Sequence, residues 1–175
     1  MKKLALIIAM TTLLPFTSQA QEAIYLSGML GMTSFDVADS SITYDTELSF
    51  GARGGVLFNE HIAAGIYIQR YATDNASVDL STLNLMAEVS YYFNEAEENG
   101  FWVSGLLGVT NWTADYTAAV PNDDDSETAF GGTAGYHFMV APNFSISPQV
   151  TYIYTNTDTS SFTQLSGLVN VTFWL

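Results

Sequence analysis

Past residue 20 the ionic chemistry is sparse: Arg53 and Arg70 are the only cations besides His61 and His137, set against 18 carboxylates. Cysteine is absent, which removes thiol catalysis, thiolate metal ligation and disulfides together. A histidine base needs a serine within hydrogen-bond reach and a third group to orient its ring. The residue two positions beyond His137, on the same face of an extended strand, is Met139, so the spacing does not support a hydrolase. His61 falls in the short polar connection Asn59-Glu60-His61 and is expected to be solvated. The densest acidic run is Pro121-Asn122-Asp123-Asp124-Asp125-Ser126-Glu127, and other connections add Asp39, Asp45, Asp74, Asp79 and Asp158. Oxygen ligands at this density suit Ca²⁺ or Mg²⁺. The run lacks the Asp-x-Asp-x-Asp-Gly spacing with a distal Glu that specifies a calcium loop, so the expectation is a solvated acidic loop surface, with no metal or cofactor assigned.

The ends and the charge balance narrow the setting for this chemistry. Lys2 and Lys3 precede an apolar stretch from Leu4 to Leu14, and Ser18-Gln19-Ala20 places small residues where a signal peptidase reads. Residues 1–20 therefore read as a signal peptide and 21–175 as one domain, because the apolar stretch, broken by Pro15, is well short of the roughly 20 residues a membrane-spanning helix needs. The whole chain carries a net charge of −14; without Lys2 and Lys3, two cations remain against 18 carboxylates, or −16. Binding to nucleic acid rests on Lys and Arg neutralising phosphates and is excluded as a class. Peripheral binding to anionic headgroups fares no better.

The elements that must position these residues are strands. Eight segments with period-two patterning run over 23–37, 46–58, 61–73, 80–93, 100–115, 128–140, 144–156 and 162–175. Three connections are short or compact (Asn59 to His61, Asn94 to Gly100, Ala141 to Asn143); the four between them, Ala38 to Asp45, Asp74 to Asp79, Tyr116 to Glu127 and Thr157 to Ser161, are polar and mostly longer. Short turns at one end and longer loops at the other is the asymmetry of outer-membrane barrels. In the fourth segment Leu83, Leu85, Ala87, Val89, Tyr91 and Phe93 alternate with Thr82, Asn84, Met86, Glu88, Ser90 and Tyr92. Aromatics gather at the short-turn end (Phe58, Tyr91, Phe93, Phe101, Tyr136, Phe138, Phe144, Phe173), and Phe35, Tyr71, Trp112, Phe130, Tyr154 and Phe162 are expected to form a matching outward girdle at the loop end. The fold class is all-β: an eight-stranded antiparallel up-and-down transmembrane β-barrel.

The leader, the eight strands and the terminal run Leu165 to Leu175 resemble the small outer-membrane barrels of the OmpA transmembrane-domain and OmpX type. In that family the last strand carries the signal read by the barrel-assembly machinery, an aromatic at the final position after alternating apolar residues. Here Val169, Val171 and Phe173 keep the alternation and the chain ends in Leu175. The resemblance implies a monomer in the outer membrane of a Gram-negative bacterium, with outer-membrane lipids and lipopolysaccharide as its surroundings.

Eight strands enclose an interior just wide enough for side chains to fill. Strict alternation points Glu47, Arg53 and Glu88 inward, and Arg53 and Glu88 lie at similar depth, so an ion pair in the lumen is expected because an isolated buried charge is costlier than a paired one. Its role is a plug that fills the lumen; the alternative is a gate in a narrow conduit. His137 also points inward. Arg70 points outward near the loop end, where a guanidinium could grip lipopolysaccharide phosphate, with a β-bulge or simple snorkelling as alternatives. Function reads first as a structural or surface-interaction barrel, next as a narrow channel for small or hydrophobic molecules of the kind OmpW-like barrels suggest, and last as a lipid A-modifying enzyme. The lipid A deacylases place His and Ser two residues apart on one strand, a spacing His137 does not share.

Overall fold

A computed structural model describes residues 23–37, 46–74, 78–116, 123–157 and 161–175; the leader and the tips of the four longer loops lie outside them. Eight strands follow one another as β1 (Ile24–Val37), β2 (Glu47–Asn59), β3 (Ile62–Asp74), β4 (Val78–Tyr92), β5 (Gly100–Tyr116), β6 (Asp123–Ala141), β7 (Phe144–Asn156) and β8 (Ser161–Trp174). Each pairs antiparallel with its sequence neighbour, and β1 closes on β8 from Tyr25↔Trp174 to Val37↔Phe162. The barrel is therefore closed and up-and-down, with no free edge. Strands of 13 or more residues rise about 43 Å along their length at 3.3 Å per residue, enough at a typical tilt to cross an apolar band about 25 Å tall.

Period-two sequence becomes two faces. Leu26, Leu30, Phe50, Ile66, Val89, Leu107, Val150, Leu165 and Val169 all point outward with roughly half their surface open. An uninterrupted apolar exterior of this size would drive aggregation in water; hydrocarbon is the solvent it fits. The aromatics at the short-turn end lie on that exterior as expected: Tyr91, Phe93, Phe101, Phe138 and Phe173 are exposed, and edge-to-face or tilted contacts link Phe101 to Tyr136 and Tyr136 to Phe138.

The loop-end girdle is a correction. Phe35, Tyr71 and Phe162 face the lumen, 5 %, 0 % and 7 % exposed, and with Leu80 they form an aromatic cap against which Trp112 packs. Phe35 shares the parity of Tyr25, Ser27, Met29 and Thr33, so strict alternation sends it inward whatever its distance from the membrane edge. Of the expected outward set, Phe130 and Tyr154 remain, in contact with each other on the exterior.

The acidic run is a second correction. Strand β6 begins at Asp123, and Asp123, Asp124, Asp125 and Glu127 pair in register with Ala114, Thr113, Trp112 and Thr110 of β5. This part of the chain is a β5–β6 hairpin, with β5 still paired to β4 as far as Tyr116↔Val78, and not a free loop, because antiparallel pairing once begun at Thr128 continues as long as both strands stay extended.

The connection between β4 and β5 is more than a turn. Ala96 is 1 % exposed and sits in the cluster of Tyr25, Leu57, Ala63, Tyr92, Trp102 and Trp174. Its N–H donates to the Glu60 carbonyl at 2.7 Å, and Asn99 Oδ1 accepts from Met139 N–H at 2.6 Å. The segment folds under the barrel and covers the short-turn mouth. His61 belongs to the same construction. It is half-buried, with Nδ1 3.0 Å from the Tyr92 carbonyl and 3.1 Å from the Asn94 carbonyl, so it braces the turn instead of standing free in solvent.

Candidate functional site in the barrel lumen

Arg53 on β2 and Glu88 on β4 meet inside the barrel: Nη2 lies 3.1 Å from Oε1, and both side chains are almost wholly buried. Strand β3 runs between their strands, and the row that crosses it is Gly55, Gly65, Glu88. Gly65 puts no side chain into that gap, which leaves the guanidinium a path to the carboxylate. A Cβ on Gly65 would meet the Gly54 carbonyl oxygen and stand 2.8 Å from the Gly55 Cα, so the strands approach too closely here for any other residue. Arg53 Nη2 also donates to Ser90 Oγ at 3.1 Å, and Tyr25 OH donates to Glu88 Oε2 at 3.5 Å. The guanidinium lies over the Trp102 ring at 4.3 Å and near the Tyr25 ring at 5.5 Å. Coulomb attraction, hydrogen bonds and cation–π contact thus offset the cost of burying both charges.

Glu47 is not part of this pair. It has the same inward parity and is half-buried at the loop end of β2, opposite Thr33. Arg53 lies six positions further along β2, about 20 Å along the strand.

Above the ion pair further layers of buried side chains follow. Met29, Tyr67, Met86, Leu106, Ile153 and Leu168 form a central apolar layer. Above it Gln69 acts as a hub: its Nε2 donates to Ser166 Oγ at 2.9 Å and Thr33 Oγ1 at 3.1 Å, and its Oε1 accepts from Tyr67 OH at 2.9 Å. Asn84 links Gln164 at 2.8 Å and Thr110 at 2.6 Å. The aromatic cap of Phe35, Tyr71 and Phe162 closes the column.

His137 does face inward, 3 % exposed, and its ring packs edge-on to Trp174 and Tyr92. Ser147 Oγ on the adjacent strand β7 lies 3.4 Å from its Nδ1. That serine is invisible from β6 alone; only the β6–β7 register brings it across. Among the described residues no carboxylate orients this imidazole, and the neighbouring cavity, about 10 Å³, is far too small for an acyl substrate. Among the described residues no group of three or more His, Asp or Glu side chains could hold a metal ion.

Arg70 lies on the exterior, exposed, flanked in register by Phe50 and Leu83, which are themselves exposed. It stands eight residues along β3 from Ile62, about 26 Å along the strand, which a tilt of roughly 40° converts to about 20 Å of height in the apolar band.

The chain matches the model of the outer membrane protein beta-barrel domain over residues 4–173. It belongs to that family. Its place is accordingly the outer membrane of a Gram-negative bacterium, with the short turns on the periplasmic side. Among solved structures, Neisserial surface protein A is similar over 85 % of this chain and 97 % of its own, at 19 % identity and a TM-score of 0.67. Ail, the attachment invasion locus protein of Yersinia pestis, is 17 % identical over 89 % of this chain and 100 % of its own, with a TM-score of 0.57. OprG of Pseudomonas aeruginosa is 12 % identical over 90 % of this chain and 97 % of its own, with a TM-score of 0.53. These likenesses show the fold. No curated protein matches the chain by sequence.

Proposed function

We propose that this barrel is a non-conducting structural and surface-interaction protein of the outer membrane, without enzymatic activity. The observation that carries the reading is the filled lumen: the Ala96 segment, the Arg53–Glu88 pair, the Met29–Leu168 layer, the Gln69 hub and the Phe35 cap succeed one another from the periplasmic mouth to the outer one. In this reading Arg53 and Glu88 are a structural plug. Liposome swelling tests it. Vesicles carrying the refolded protein should swell in small sugars no faster than protein-free vesicles, whereas swelling graded by solute size would establish a channel.

The same reading assigns the exterior its partners. Arg70 is the one outward-facing Arg or Lys among the described residues, placed near the outer boundary of the apolar band, and contact with a lipopolysaccharide phosphate is the role its chemistry supports. Ail has been solved with the heparin analogue sucrose octasulfate. This chain, with two arginines and no lysine beyond residue 3, lacks the positive surface a polysulfated sugar needs, so we do not assign it such a ligand. The closed ladder and apolar exterior suit a monomer, residues 1–20 an export signal removed on the way, and β8 delivery to the barrel-assembly machinery.

A further inference from the structure

Arg53 Nε and Asn170 Oδ1 are buried polar atoms with no hydrogen-bond partner, and so is His137 Nε2. Their residues come from β2, β8 and β6, are 4 %, 1 % and 3 % exposed, and line one cavity at the periplasmic end of the lumen. The cavity offers about 10 Å³ to the centre of a water-sized sphere, which is the room one water molecule takes up. Other atoms of these residues are already engaged: Arg53 Nη2 donates to Ser90 Oγ and is ion-paired with Glu88, Asn170 Nδ2 donates to Gln149 Oε1, and His137 Nδ1 lies beside Ser147 Oγ.

We propose that this cavity is a binding site for a single internal water, which accepts from Arg53 Nε–H, donates to Asn170 Oδ1 and contacts the His137 ring. The mixture of partners selects the ligand. An anion would meet the Asn170 carbonyl oxygen and the nearby Glu88 carboxylate, a cation would meet the Arg53 guanidinium, and neither finds complementary surroundings. Water donates and accepts at once. A water there joins the Arg53–Glu88 pair to the opposite wall of the barrel, so that β2, β4, β6 and β8 share one hydrogen-bonded network. The Ala96 segment shuts the mouth below it, so the water exchanges slowly with bulk.

The test is water-to-protein nuclear Overhauser transfer in the refolded full barrel, deuterated except for its two histidines. The carbon-bound ring protons of His137 should show a cross-peak with the sign of a long-resident water, and Asn170→Leu, which removes the acceptor at similar volume, should abolish it while the His61 signals stay unchanged. Absence of the His137 cross-peak in the unsubstituted protein overturns the site, as does a cross-peak that survives in a folded N170L. If N170L does not fold, a high-resolution crystal structure decides instead. Density within hydrogen-bond distance of both Arg53 Nε and Asn170 Oδ1 is expected, and a dry cavity overturns the proposal.

Discussion

At the scale of the residue, burial decides how much each charge matters. Removing Arg53 leaves Glu88 uncompensated in a closed lumen, so Arg53→Ala should lower unfolding stability by about 3 kcal/mol, the cost of breaking a buried pair from one side. Replacing both partners by apolar residues of similar volume, as in Arg53→Met with Glu88→Leu, should recover much of that loss, since the desolvation cost disappears with the charges. Urea unfolding of the refolded barrel in detergent measures both, and equal midpoints for R53A and the unsubstituted protein would remove the plug role. Arg70→Gln touches no lumen contact and should leave the midpoint unchanged, while reducing retention of the barrel on lipopolysaccharide-containing vesicles relative to phospholipid vesicles. The pairing of Arg53 with Glu88 was legible because both fall on the polar face of strongly alternating segments at matching distance from aromatic ends. Ser147 beside His137 was not, since it depends on how β7 slides along β6. Glu47 shared the right parity but not the right depth, and parity alone does not measure depth.

At the scale of the element, strand faces were readable and strand limits were not. Phe35, Tyr71 and Phe162 looked like a lipid girdle because aromatics near strand ends often are one, yet their parity with Thr33, Gln69 and Gln164 already placed them inside. The reach of β6 back to Asp123 depends on its partner β5, which no single-strand pattern reports. Two places in the ladders carry their own expectations. Gly55 and Gly65 face each other across β2 and β3, and a Cβ on Gly55 would stand 2.7 Å from the Gly65 Cα. Gly65→Ala should therefore force the strands apart, obstruct the path of Arg53, and destabilise by roughly 2 kcal/mol, in the range seen for overpacked interiors; an unchanged urea midpoint would show that the strands yield freely. Between β6 and β7 the pairing is interrupted from Gly135↔Gln149 to Phe138↔Ile146, with the register kept. Tyr136 stands opposite Pro148 there, and proline has no N–H to give its carbonyl. The lost bond falls on the Tyr136 carbonyl, and the interrupted pairing around it should open locally more often, so the Tyr136 amide should exchange with deuterium faster than that of Ala134, two residues away on the same strand; equal protection would mean the ladder holds through the proline.

At the scale of the whole molecule, an apolar exterior encloses a crowded interior. Hydrocarbon is the surrounding that satisfies Leu26, Phe50, Val89 and Leu165 at once, and a closed ladder is the sheet that satisfies backbone groups there. Inside, Tyr25, Tyr67, Tyr71 and Trp102 are all turned into the lumen of an eight-stranded barrel, and the proposed non-conducting role rests on that crowding. The architecture was legible from alternation, turn asymmetry and the terminal strand, and the strand number already suggested a crowded lumen; which side chains meet in each layer was not, because that is the sum of inward choices made on all eight strands together. Activity on a partner is therefore assigned to the rim and exterior. The most direct test of that claim is single-channel recording of the refolded barrel in a planar bilayer. No conductance above the bare bilayer is predicted for the unsubstituted protein, and a reproducible open state would contradict the filled lumen.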